Sequence, residues 1–305
     1  MNTDKTSRPA VLLGVAVGDA LGVPVEFKAR GGFHVADMQG YGTHRQPPGT
    51  WSDDTSLTLA LADSLSRGCD MRDIARNFVR WHDEAAFTAH DEVFDIGMAT
   101  AKAIRRIKSG VAPERAGGAE ENDNGNGSLM RIAPLVFYLA DKPQEERFRL
   151  TQAVSSLTHA HAWSVMACCI YLEMLGKLLA GTEKDAAYAD LRDEFRSGHP
   201  AVGGDALAKF DRILKADIRA LPKRDIRSGG FVIDTLEAAL WCFLTTDNYQ
   251  DAVLKAVNLS GDTDTTAAVT GALAGLAYGL ASIPAIWLAQ VARYNAILRI
   301  ASAIP

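Results

Sequence analysis

Apolar residues recur at helical spacing along nearly the whole chain. Leu57, Leu61 and Leu65 fall at fours, with Leu59 and Ala60 widening the stripe, the pattern of a helix that buries one face. Val154, Leu157, His161, Val165 and Met166 run on into Cys169, Leu172 and Leu175 as one continuous stripe. Ile233, Leu236, Leu240 and Phe243 repeat it, as do Ala252, Val253, Ala256 and Val257. Strand-like alternation is scarce, and only Gly32 to Gly42 leaves room for a hairpin or extended segment. The pattern predicts an all-α fold, a compact single-domain bundle of about a dozen helices over residues 1–305. Residues 1–8 are expected to be disordered. The loops run from Gly110 to Gly127, from Gly198 to Asp205 and from Leu221 to Gly230, and none reads as an interdomain linker.

Glycine sharpens this picture. Gly14, Gly18 and Gly22 fall at fours near the start, as do Gly271, Gly275 and Gly279 near the end. Such spacing lays a bare stripe along one helix face, where a neighbouring helix can approach closely. Each glycine costs up to about 1 kcal/mol in helix propensity, so the stripes imply a packing or site-building purpose. The second stripe lies in a stretch, Ala267 to Ala289, without a single charge, but Pro284 interrupts it and acids stand at its start. A buried central helix is expected there, not a membrane span. Residues 10–18 resemble the core of a signal peptide, but Asp19 ends the run early and no basic segment of the usual kind precedes it. No stable membrane insertion is expected.

The candidate chemistry lies in two short acidic motifs, Ser52-Asp53-Asp54-Thr55 and Gly261-Asp262-Thr263-Asp264-Thr265-Thr266. Each is followed at once by a small, apolar, helix-like run. One Asp or Ser suffices to cap a helix; two adjacent acids at both places repel unless a cation lies between them. Together the motifs offer four carboxylates and several hydroxyls, hard oxygen donors without sulfur or imidazole. That is the ligand set of magnesium or manganese, and four negative charges balance two divalent cations. A two-metal centre is therefore expected. Asp19, inside an apolar helix, either holds helix ends or supports the site from behind, because an unpaired buried carboxylate is costly. His159 and His161, two apart, do not share a helix face and make no zinc pair; His161 is expected to pack. Trp51, Trp163, Trp241 and Trp287 are expected in the core.

Composition narrows the function classes. Hydrophobic residues make up 48% of the 305 and charged residues 23%, a globular balance. A formal net charge of −5 without a basic patch argues against nucleic-acid binding. The four cysteines, Cys69, Cys168, Cys169 and Cys242, are too few and too scattered for a disulfide framework. Reduced cysteines point to the cytoplasm.

A third signal is the loop Asn122-Asp123-Asn124-Gly125-Asn126-Gly127-Ser128-Leu129-Met130-Arg131. Its glycines, placed before a helix-like run, would let backbone N–H groups approach a phosphate. It has neither the ending of a Walker loop nor the preceding strand of a Rossmann turn.

Taken with Gly18-Asp19-Ala20-Leu21-Gly22, Glu26-Phe27, Phe94-Asp95-Ile96-Gly97 and Thr158-His159, these motifs resemble the ADP-ribosylglycohydrolase family. Within it they are most like the bacterial dinitrogenase reductase-activating glycohydrolases and ADP-ribosylarginine hydrolases. The likeness spans residues 11 to about 280, in the family's order. It implies an all-α fold with two Mg2+ or Mn2+ ions at the base of an ADP-ribose cleft. Ser52, Asp53, Asp54, Asp262, Asp264 and Thr265 match the metal ligands, Ser52 standing where many members have Thr. Glu26 matches the catalytic acid beside the metals, and Asp95 an aspartate of the arginine-directed branch. Asn126, Gly127, Ser128 and Met130 match the phosphate- and ribose-contacting loop, and His159 a residue of the ribose pocket. The implied activity is metal-dependent removal of ADP-ribose from modified arginine side chains of proteins, with ADP-ribose as product. Two alternatives stand beside it: hydrolysis of another conjugate, O-linked serine or a small molecule, and a module that binds ADP-ribose without cleaving it.

Overall fold

The computed structural model describes residues 6–198 and 205–305. Among the described residues it contains fifteen α-helices and short 3-10 turns, with no strand. The first seven helices are α1 (Ser7–Gly22), α2 (Asp53–Leu65), α3 (Met71–Glu84), α4 (Met98–Lys108), α5 (Leu135–Leu139), α6 (Gln144–Ser156) and α7 (Ala162–Leu179). There follow α8 (Lys184–Gly198), α9 (Asp205–Ala208), α10 (Asp211–Leu214), α11 (Val232–Leu244) and α12 (Tyr249–Val257). The chain closes with α13 (Thr263–Tyr278), α14 (Ala285–Gln290) and α15 (Tyr294–Ala303). The all-α expectation is met. Residues 1–5 and 199–204, which include most of the predicted Gly198–Asp205 loop, lie outside the described residues. Ser7 and Arg8, within the segment expected to be disordered, are helical.

The glycine stripes explain the centre of the fold. α1 and α13 pack against each other with their backbones in contact. A methyl group on Gly14 would lie 2.3 Å from Gly271 O, one on Gly18 2.2 Å from Ala267 O, and one on Gly22 2.3 Å from Asp264 Cα. From the other side, Gly271 and Gly275 face Gly14 O and Ala10 O at 2.1 and 2.3 Å. No larger residue fits at that separation. Gly279 belongs to neither face; it ends α13 at φ +80° with open space around it. The close pairing sets the N-terminus of α13 beside the C-terminal turn of α1. Thr263 Oγ1 seals it with a 2.8 Å hydrogen bond to Gly22 O.

The apolar faces of the surrounding helices close over this pair in one buried cluster that includes Leu57, Leu61, Leu65, Leu236, Leu240, Val253 and Val257. Ser7–Val25 and Ala162–Leu179 are long and apolar enough to cross a membrane, and 89% and 67% of them is buried inside the molecule.

Several local expectations are refined. The continuous stripe from Val154 to Leu175 is two helices: α6 stops at Ser156 and α7 starts at Ala162. His161 packs edge to face on Trp163, ring centroids 4.8 Å apart, and also caps α7, its Nδ1 accepting from Trp163 N–H at 3.2 Å. Gly32–Gly42 forms no ladder; a side chain holds it instead, Asn258 exchanging 2.9 and 2.8 Å hydrogen bonds with Val35 N and O. Trp51, Trp241 and Trp287 are buried as expected, whereas Trp163 is only half-buried.

Candidate active site

The site is assembled from two helix N-termini. Ser52 caps α2, so Asp53 and Asp54 fall in its first turn; Asp262 stands at the N-cap of α13, with Asp264 in its first turn. Helix starts carry partial positive charge, which favours acids in these positions. Asp19 orients the first motif. Fully buried in α1, its carboxylate accepts from Ser52 N–H at 2.9 Å, Thr55 N–H at 3.0 Å and Thr55 Oγ1 at 2.6 Å. The same bonds hold the start of α2 and support the motif from behind, so its two readings coincide. Burial pushes the Asp19 carboxyl up to about 6, against the lowering effect of these bonds.

The motifs meet at Asp54. Its Oδ2 accepts from Ser52 Oγ at 3.1 Å and from Thr265 Oγ1 at 3.1 Å. Asp262 Oδ2 accepts from Asn126 Nδ2 at 2.8 Å, which ties the Gly/Asn loop to the same place. Asp54 Oδ1, Asp262 Oδ1 and Asp264 Oδ2 are buried without any partner. Ser52, Asp53, Asp54, Asp262, Asp264 and Thr265 are all buried. Burial first, and then their neighbouring carboxylates, push Asp53, Asp54 and Asp264 well above the usual carboxylate range. Orphaned buried acceptors that repel one another are what a site for hard cations consists of, so the residues fit a divalent metal.

Glu26 and Asp95 join this cluster from the open side. The carboxylates of Glu26, Asp262 and Asp264 come within 4.8 Å of one another. Glu26 follows the short turn Val23–Val25 and is buried, not a surface acid. Burial raises it to about 7, with Asp95 and Asp262 adding to the effect and a hydrogen bond from His44 opposing it. Asp95 does not cap α4, whose N-cap is Gly97. It sits in the left-handed region at φ +56°; burial raises its carboxyl above the ordinary range, with His44 opposing and Asp262 adding to the effect. Phe27, the chain neighbour of Glu26, also has positive φ. Strained backbone of this kind costs about 1–3 kcal/mol per residue and gathers at functional sites.

The Gly125–Met130 loop is placed differently from expectation. It is a chain of turns preceding α5 at Leu135, not a helix start. Backbone bonds from Asn126 N to Gly230 O (3.1 Å) and from Val232 N to Asn124 O (3.0 Å) tie it to the start of α11. Ser128 is fully buried, its hydroxyl bonded to Ser155 Oγ at 3.0 Å, so its side chain faces the core. His159 is buried beneath the loop; a methyl group on Gly127 would lie 2.8 Å from its Cε1. Burial and the nearby Arg131 hold the imidazole down to about 3, so it is neutral. Its Nδ1 pairs with Thr158 Oγ1 at 2.7 Å. His159 therefore props the loop from below. Met130 is also buried, its carbonyl accepting from Thr58 Oγ1 at 3.5 Å. Arg131, wholly buried, donates to Gly127 O and to Val154 O (3.2 Å) and lies over the Phe78 ring at 4.9 Å.

Two features escaped the sequence reading. His44, from the irregular stretch before α2, pairs through Nε2 with Glu26 Oε2 in a short contact. A cavity of about 490 Å³ opens beside the loop, lined by Asn122, Asn124, Gly125, Trp163, Lys209 and Phe231 among others. Trp163 meets Phe231 edge to face, their centroids 6.2 Å apart. Nothing in the periodicity marks either, since both depend on which loops come together.

The comparisons with known proteins point one way. The family model for ADP-ribosylglycohydrolase matches residues 4–305. An ADP-ribosylarginine hydrolase, Tri1, of Serratia proteamaculans (strain 568) is 36% identical over 294 residues, covering 95% of this chain and 76% of that protein. The ADP-ribosyl-[dinitrogen reductase] glycohydrolase of Rhodospirillum rubrum is 33% identical over 291 residues, covering 92% and 88%. A solved structure titled as an ADP-ribosylglycohydrolase-related protein complex superposes with a TM-score of 0.85 at 35% identity, over 100% of this chain and 98% of that one.

Proposed function

The chain belongs to the ADP-ribosylglycohydrolase family, and from that premise we propose that it removes ADP-ribose from modified arginine side chains of proteins. The bond hydrolysed is the N-glycosidic one between the ribose and the guanidinium. The observation that carries the reading is the set of orphaned buried oxygens, Asp54 Oδ1, Asp262 Oδ1 and Asp264 Oδ2, with Glu26 within 4.8 Å of Asp262 and Asp264. The names of relatives that act on ADP-ribosylarginine support the linkage.

Ser52, Asp53, Asp54, Asp262, Asp264 and Thr265 would hold two divalent cations, Mg2+ or Mn2+ by their all-oxygen chemistry. When bound, such ions supply the positive charge that draws ribose hydroxyls and water to the cleft floor. Asn126 keeps Asp262 aimed at that floor through its 2.8 Å bond. Glu26 takes a proton from the attacking water, a task that suits a carboxylate held near neutrality. The C1–N bond breaks as a C1–O bond forms, and the proton passes to the departing guanidine nitrogen. Asp95 accepts guanidinium N–H bonds at the mouth, where a carboxylate offers the matching two-oxygen fork. The Gly125–Gly127 backbone, propped by His159 and drawn back by Arg131, lies where the diphosphate would pass. Trp163 and Phe231 give the adenine an aromatic wall.

Incubating the protein with an arginine-ADP-ribosylated substrate, with and without divalent metal, tests the reading. Release of ADP-ribose only with metal is expected. Release from serine linkages at an equal or greater rate would overturn the arginine assignment and leave the glycohydrolase reading in place.

A further inference from the structure

His44 has no part in the chemistry above, yet it holds the one group asked to move a proton. Besides its Nε2 contact with Glu26 Oε2, its ring lies against Phe94, with centroids 5.2 Å apart and planes tilted by 42°. Phe94 is the chain neighbour of Asp95. One imidazole thus touches both segments that carry the acids of the mouth. Ligand atoms of Glu26, His44 and Asp95 all come within 4.8 Å of one another.

The loop bearing His44 is fastened to the Glu26 segment. Thr43 N–H donates to Pro24 O at 2.9 Å, and Thr43 Oγ1 to Glu26 O at 2.8 Å. Gly42 lies so close to Pro24 that a methyl group on it would be 1.7 Å from Pro24 O. These contacts fix the distance of the imidazole from Glu26, while Phe94 fixes its tilt. The constraint has a purpose. Asp95, Asp262 and Asp264 surround Glu26 with like charge, and a glutamate side chain with three rotatable bonds would swing away from them. An N–H donor on a loop fastened to the Glu26 segment prevents that.

We propose that His44 is a positioning residue: by donating to Glu26 Oε2 and packing against Phe94, it holds the Glu26 carboxylate at the acid cluster in register with Asp95. The proposal rests on the glycoside hydrolysis assigned above.

The test compares wild type, His44→Ala and His44→Gln as full-length, metal-loaded proteins. ADP-ribosylarginine serves for kcat and KM, free ADP-ribose for Kd, and thermal unfolding for the fold. Supporting groups of this type are worth about 10–100-fold, so His44→Ala should lower kcat by that factor with KM, Kd and Tm near wild type. His44→Gln, which keeps an N–H donor at similar reach, should recover at least part of the rate. A wild-type kcat in His44→Ala overturns the proposal. So does a parallel loss of ADP-ribose affinity and Tm, or a Gln variant no better than Ala, since a space-filling role predicts both. If wild type cleaves only a serine linkage, the arginine reading fails and the same three-way comparison is decided on that conjugate. Wild type inactive on both overturns the parent reading and this proposal together.

Discussion

Thr265 donates its hydroxyl to Asp54 Oδ2 at 3.1 Å, across 211 positions of chain. Ser52, the cap of α2, donates to the same oxygen from the other side. This one carboxylate oxygen joins the N-termini of α2 and α13, and its partner Oδ1 is left buried and bare. The close approach of α1 to α13 makes the meeting possible, because it brings Asp264 against Gly22 and so beside the motif that Asp19 holds.

Metal should stabilise the fold through these acids. Bound ion at a hundred times its Kd adds about 2.7 kcal/mol to folding by mass action. Asp53→Asn and Asp264→Asn should each abolish that gain, together with activity. Thermal scans with and without Mn2+ read the effect directly; wild type fully active after dialysis against excess chelator would remove the metal from the mechanism.

Stability of the chelated protein should fall as pH rises. Glu26 is lifted from 4.5 to about 7 and Asp19 from 3.8 to about 6, chiefly by burial. Groups raised in this direction favour folding below their unfolded pKa and lose that contribution as pH climbs through the folded value. A shift of two units corresponds to about 3 kcal/mol, so metal-free protein should melt higher near pH 5 than near pH 8. Saturating metal should flatten the profile. A chelated protein more stable at pH 8 than at pH 5 would contradict the burial argument.

Gly127→Val should weaken ADP-ribose binding and leave the helical core folded. Even a methyl group there lies 2.8 Å from His159 Cε1 and 3.2 Å from Thr100 Oγ1, so either the loop or its prop must move. Calorimetric titration with ADP-ribose decides it; an unchanged affinity in a folded variant would show that the loop is not the diphosphate site.

Gly18→Ala is expected to destabilise the whole molecule. Alanine gains about 1 kcal/mol in helix propensity, but its Cβ would stand 2.2 Å from Ala267 O, a backbone atom that cannot turn aside. Overpacking costs about 1–3 kcal/mol and here forces two central helices apart, so the clash wins. Gly176→Ala, with nothing within 4 Å, is the control in denaturant unfolding: it should be neutral or stabilising.

Asp95→Ala should slow hydrolysis of ADP-ribosylarginine far more than it weakens ADP-ribose binding. The carboxylate fits a guanidinium fork and has nothing comparable to offer a neutral serine alcohol. Matched arginine- and serine-linked substrates, measured on wild type and variant, test it. A variant that loses both activities equally would make Asp95 part of the general machinery instead of the selector.

By itself the sequence determined the helical class, the two acidic motifs and the glycine stripes. Each is a local or periodic property: a buried helix face repeats every 3.6 residues, and an acid at a helix start is written within four residues. Asp53, Asp54, Asp262 and Asp264 could be matched to one site because their shared chemistry makes sense only if they meet. Tertiary structure decided what depends on a partner elsewhere in the chain. The stripe from Val154 to Leu175 gives no sign of a break at Thr158-His159, because the break serves Gly118, whose N–H and carbonyl bond to Thr158 O and Ala160 N. Where the Ser128 side chain points is decided by Ser155, whose hydroxyl it meets in the core. Trp163 reads as core until Phe231 is set beside it at the cavity. His44 carries no signal at all, since a histidine in an irregular loop acquires its role only from the carboxylate the fold brings to its Nε2.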